Sequence, residues 1–139
     1  SGPRSTLPQP QYGGGGMKKI LCIDNRSVAI SQAQAAAKGL DQCELRCVAD
    51  GLDLYHEAEA NPPDLLVIDL LMPSMHGLAV TRLIKFHEDL RHVPVMIVAS
   101  TLSEGQREEA VRCGADDYWD PTQAPDQIAE AMKELLKNT

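Results

Sequence analysis

The sequence predicts an α/β doubly wound fold, a three-layer sandwich in which helices cover both faces of a five-stranded parallel sheet. Two observations carry that prediction. Strand-like and helix-like segments alternate strictly from Met17 onward, five of each, and the short crossovers between strands require them to run parallel. The first, third and fourth strands also read as continuous aliphatic runs, as strands buried on both faces do.

Each element has its own signal. "KKILCID" is a short apolar run that ends on Asp24. "NRSVAISQAQAAAKGL" follows with helical spacing, placing Val28, Ile30, Ala33, Ala37 and Leu40 near one face and Gly39 near its end. "CELRCVA" sets Cys43, Leu45 and Cys47 at period two, and "DGLDLYHEAEAN" is a helix stopped by Pro62 and Pro63. "DLLVID" is the third strand. "GLAVTRLIKFHEDL" is a helix with Leu78, Leu83, Ile84 and Phe86 among its apolar positions. "VPVMIVAS" is the fourth strand. The polar helix "SEGQREEAVRCG" carries Ala110, Val111 and Cys113 and ends at Gly114. "ADDYW" is a shorter fifth strand, and "PDQIAEAMKELLKN" closes the chain with Ile128, Met132, Leu135 and Leu136 on its inner face.

Composition bounds what such a domain does. The 139 residues suffice for one domain with an aliphatic core, since 43% are hydrophobic and only 4% aromatic. A net charge of -7 argues against a nucleic-acid binder. No apolar stretch approaches a membrane span and nothing reads as a signal peptide, so the expectation is a cytoplasmic protein. Cys22, Cys43, Cys47 and Cys113 form no CxxC pair and read as reduced core thiols.

Residues 1–16, "SGPRSTLPQPQYGGGG", cannot pack a core, so the folded domain is expected over 17–139. One reading of that segment is a cloning remnant; another is a natural disordered arm. A third is a Pro-rich peptide tethered through Gly13 and the glycines after it, with "LPQPQY" extended for docking in a groove.

In open α/β sheets, ligands bind at the carboxyl ends of strands near a switch in strand order. Asp24 and Asp69 both lie at such ends. If their strands are neighbours, the two carboxylates face one crevice and repel unless a cation holds them. Oxygen ligands of this kind suit Mg²⁺, and Asn25 offers a further neutral oxygen. A lone Asp24 also serves as a helix N-cap.

Residues 18–137 resemble the receiver domain of bacterial two-component response regulators. The resemblance rests on "ILCIDN", "PDLLVIDLLMPSMHG", "VPVMIVAS" and "RCGADDYW". It implies a CheY-like, flavodoxin-like (βα)5 fold with a phospho-accepting aspartate at Asp69. It also implies metal ligation by Asp24, Asn25, Asp69 and the backbone carbonyl of Leu71, and a histidine kinase as partner. Such a carboxylate attacks phosphorus, and Mg²⁺ neutralises the charge that spreads over the equatorial oxygens.

Several positions depart from the family pattern. Asn25 replaces an acid, which weakens Mg²⁺ binding; a unit charge beside a cation is worth on the order of a few kcal/mol at an effective dielectric near 20. The switch hydroxyl position is Ala99, and Ser100 substitutes only if the strand has already ended. The expected lysine after the fifth strand is absent, and Asp120 stands there before Pro121. Lys18 and Lys19 lie about 17–20 Å of strand away from Asp24, which leaves Arg26 as the one nearby cation able to lean over the pocket. Tyr118 matches the switch aromatic but loses its polar partner at Ala99. His76 reads as a surface substitution.

The sequence therefore predicts a pseudo-receiver. It is a non-enzymatic signalling domain that acts through protein contacts, with Arg107, Arg112, Tyr118 and Trp119 as the binding face. The alternative is a phosphorylatable regulator of a phosphorelay. A flavodoxin-like redox protein shares the topology but needs a glycine-rich phosphate loop that "DNRSVAI" lacks. With no output domain after the last helix, the signal is expected to leave through a separate partner, or the chain is a fragment of a longer protein.

Overall fold

In the computed structural model, residues 16–137 are described. The expectations for residues 1–16, apart from exposed Gly16, lie outside them. Five strands and five helices alternate: β1 (Lys18–Ile23), α1 (Val28–Lys38), β2 (Cys43–Val48), α2 (Gly51–Ala60), β3 (Leu65–Asp69), α3 (Gly77–Phe86), β4 (Val95–Val98), α4 (Glu104–Cys113), β5 (Asp117–Trp119) and α5 (Asp126–Leu136). The strands form one parallel sheet in the order β2-β1-β3-β4-β5. Helices α1 and α5 pack together, while α2, α3 and α4 pack in succession.

The central strands explain the layering. β3 and β4 are buried at every residue, and so are the last four residues of β1. Fully burying one such aliphatic side chain is worth about 1.5–3 kcal/mol. The edge strand β2 is only half-covered, so the cysteines separate. Cys22 and Cys113 are buried, Cys43 is half-buried and Cys47 is exposed, which corrects the expectation of four core thiols.

The helices bury a narrower stripe than their apolar content suggests. In α1 the inner face is Ala29, Ile30, Ala33 and Ala37, and Val28 is 73% exposed outside it. In α3 the buried set is Gly77, Val80, Thr81 and Ile84, at spacings of three, four and seven. Phe86 and Leu83 fall off that stripe and face outward. The buried hydroxyl of Thr81 is satisfied by donating to the carbonyl of Gly77 at 2.8 Å. Among the described residues, no helix is long and apolar enough to cross a membrane.

Candidate functional site

The sheet order reverses between β1 and β3, which are direct neighbours. Asp69, the last residue of β3, therefore reaches the crevice outside the strand ends, and it is only 5% exposed. A buried carboxylate needs donors. Asn25 Nδ2 donates to Asp69 Oδ2 at 2.9 Å and Ser27 Oγ donates to the same oxygen at 2.8 Å. The other oxygen, Oδ1, receives only a long bond from the Leu71 N–H, at 3.3 Å. Hydrogen bonds to a charged group contribute about 1.5–3 kcal/mol each.

Asn25 also donates to the carbonyl of Leu71 at 2.9 Å, and its own Oδ1 accepts the Ser27 N–H at 3.1 Å. Two backbone groups of fixed polarity thus decide the amide orientation. This corrects the expectation that Asn25 supplies an oxygen ligand; it presents its nitrogen to the pocket. Ser27 works twice, because the same hydroxyl caps α1 by accepting the Ile30 N–H. Asp24 is neither that cap nor a wall of the pocket. It is exposed, as is Arg26, which turns through a positive φ of 66°. The cavity beside Asp69, about 230 Å³, is lined by Asn25, Ser27, Leu71, Ala99, Ser100 and Gln106 among others, and by neither Asp24 nor Arg26.

Receiver domains generally bind Mg²⁺. Mg²⁺ demands several oxygens in near-octahedral array. Here the Leu71 carbonyl and Asp69 Oδ2 both accept N–H groups of Asn25, and Asp24 stands outside. Among the described residues, no group of three His, Cys, Asp or Glu side chains is placed to hold a metal ion. The donor set as arranged does not fit the ion.

Residues 70–76 form a loop whose shape is fixed from two sides. Gly51 N–H donates to the Pro73 carbonyl at 2.9 Å, and Ser74 Oγ donates to Asp50 at 3.0 Å. At the far end, Gly77 N–H donates to the Leu70 carbonyl at 2.8 Å. A Cβ on Gly77 would collide with the carbonyl oxygen of Asp69, so only glycine lets α3 start this close to the strand end. His76, read from sequence as a surface substitution, caps α3 by accepting the Leu78 N–H on Nδ1 at 3.2 Å.

The other wall of the pocket is tied shut. β4 ends at Val98, so Ser100 does reach the cavity lining, while Ala99 is buried. Asp120, expected to add uncompensated negative charge, is instead a covered hub that is 1% exposed. Its carboxylate accepts from the Leu102 N–H at 2.9 Å, from Arg107 at 3.1 Å, and from the Thr122 N–H at 3.0 Å and hydroxyl. Burial pushes its pKa up, but these donors outweigh that and bring it down to about 2. The loop after β4 is thereby joined to the loop after β5.

The expected binding face divides. The Arg107 guanidinium lies 5.8 Å from the ring centroid of Tyr118, and both line a surface cavity with Glu104, Glu108 and Val111. The half-buried Tyr118 packs on Leu70, Ala99 and Leu102. Arg112 is exposed and pairs with Glu109 at 2.8 Å. Trp119 does not belong to this face. It is 1% exposed in the main core, and its Nε1–H donates to the Ala124 carbonyl at 3.1 Å. Alternation along β5 turns Tyr118 and Trp119 to opposite sides of the sheet.

Comparison with known proteins agrees with this architecture. The family model described as "Response regulator receiver domain" matches residues 20–133. The polar-differentiation response regulator DivK of Brucella ovis is 31% identical over 121 residues, covering 86% of this chain and 96% of that protein. The hybrid signal transduction histidine kinase G of Dictyostelium discoideum is 31% identical over 103 residues, 73% of this chain but 3% of that protein. Among solved structures, a response regulator from Chloroflexus aurantiacus superposes with a TM-score of 0.78 at 20% identity, covering 87% of this chain and 98% of that one. The chemotaxis response regulator CheY4 of Vibrio cholerae gives 0.73 at 19% identity, covering 86% and 98%.

Proposed function

This chain belongs to the response regulator receiver family, and on that premise we propose that it is a pseudo-receiver. It signals in the cytoplasm through protein contacts and without obligatory phosphorylation, and it catalyses no reaction of its own. The observation that carries the reading is the closed second wall. Asp120 fixes the loop after β4 to the loop after β5 through Leu102 and Arg107. Ala99 offers no hydroxyl at the switch position, and Ser100, which reaches the cavity, lies on the same loop that Asp120 holds. The face built from α4, β5 and α5, with Arg107 over Tyr118, is then held in one state. A partner protein, an effector or scaffold, reads that fixed face.

The second reading, a phosphorylatable receiver of a two-component phosphorelay, is favoured by one observation. Asp69 Oδ1 carries only the long bond from Leu71 N–H and is the freer oxygen for attack on phosphorus, with a kinase histidine leaving. Incubation with a small phosphodonor and Mg²⁺, followed by intact-mass measurement, separates the two. No adduct is expected. A stoichiometric phosphate adduct that Asp69→Ala abolishes would move the chain to the second reading.

A further inference from the structure

We propose that the carboxamide of Asn25 takes the place of a divalent cation and clamps the β1–α1 loop to the β3–α3 loop without metal. The site has two acceptors of different origin, the carboxylate of Asp69 at the end of β3 and the carbonyl of Leu71 in the loop after it. A cation would join such oxygens by accepting their lone pairs. The two N–H bonds of one planar amide do so here, each at 2.9 Å. The third contact makes the arrangement specific: Oδ1 faces the Ser27 N–H at 3.1 Å, so the amide is oriented by groups that cannot exchange roles.

Asparagine is matched to this task at both ends. An aspartate would turn a carboxylate oxygen toward Asp69 Oδ2 and the Leu71 carbonyl, three acceptors with no donor shared among them, and would need a cation to stay there. Alanine would leave the Leu71 carbonyl open and Asp69 Oδ2 with Ser27 alone. Ser27 completes the clamp through its bond to Asp69 at 2.8 Å and anchors it to the first turn of α1. Asp24, at the place where a further charged ligand would be sought, is exposed and outside the cavity. The inference shares the Asp69 pocket with the proposed function but not its test, because cation titration and phosphate incorporation are read separately.

The test uses the full chain and two variants, with Mn²⁺ and Mg²⁺ as probes. Free Mn²⁺ is counted by electron paramagnetic resonance, and the unfolding midpoint is measured in EDTA and in excess cation. Wild type is expected to show no saturable Mn²⁺ site at low millimolar concentration and the same midpoint in both conditions. Asn25→Asp is expected to unfold roughly 5–10 °C lower in EDTA and to recover with either cation, with Mn²⁺ affinity raised about tenfold or more. If Asn25→Asp does not fold, Asn25→Ala decides: vacating the amide should create a cation response that wild type lacks. Saturable Mn²⁺ binding by wild type as tight as by the variants, or identical cation responses in all three chains, overturns the proposal.

Discussion

Replacing Asp120 by asparagine removes one charge from the hub that joins the loops after β4 and β5, and the cost can be worked out from the geometry. The carboxylate is 1% exposed and takes hydrogen bonds from Leu102 N–H, Arg107 and Thr122. Its pKa falls from 3.8 to about 2 on folding. At 1.36 kcal/mol per unit this gives about 2 kcal/mol of stabilisation at neutral pH. Arg107 is one-third exposed, so solvent screening makes that an upper figure. A depressed carboxylate stabilises above its unfolded pKa. The contribution is therefore complete at neutral pH and is lost as pH falls through 3.8 toward about 2. Urea denaturation at pH 7 should show Asp120→Asn less stable by about 2 kcal/mol, with a midpoint temperature roughly 6–10 °C lower. Near pH 2.5 the gap should shrink below about 1 kcal/mol. A variant within about 0.5 kcal/mol of wild type at pH 7, or a penalty unchanged at low pH, would refute the pairing.

Three further outcomes follow from named contacts. Gly77→Ala forces a Cβ into the carbonyl of Asp69, so a loss of about 3 kcal/mol or more is expected in denaturant unfolding; a loss under about 1 kcal/mol would mean the loop gives way freely. Trp119→Ala empties a core site and frees the Ala124 carbonyl, which should cost about 3–5 kcal/mol, whereas a surface tryptophan would cost little. Cys47 is exposed, and its thiol is lowered by the hydrogen bond with Cys22 and by Lys38, while that same bond and burial push Cys22 up. Mass-resolved alkylation should therefore label Cys47 first and Cys22 last, and early labelling of Cys22 would contradict the strand register.

The fold was readable because periodicity and turn residues agree along the whole chain. The unbroken aliphatic runs around Val67 and Ile97 predict covered strands, and they are fully buried. Gly77 marks the tight loop, although its reason, the nearness of Asp69's carbonyl, is visible only in three dimensions. What sequence misread is polarity and pairing across distance. Asn25 has an oxygen and a nitrogen, and the Ser27 N–H and Leu71 carbonyl decide which one enters the pocket. Asp120 looked like an added charge because Arg107, its partner, comes thirteen residues earlier on another element. Val28 and Phe86 looked like core side chains because apolar content alone does not give the phase of a helix.

The central claim is that the pocket at Asp69 does not move the face beside it. The most direct measurement is a pair of amide nuclear magnetic resonance spectra of the full chain, before and after addition of a small phosphodonor with Mg²⁺. Signals of residues 99–102 and 117–120 are expected to stay in place, because Asp120 holds both loops against any pull through Ser100. Displacement of those signals together, accompanied by a phosphate adduct that requires Asp69, would contradict the claim.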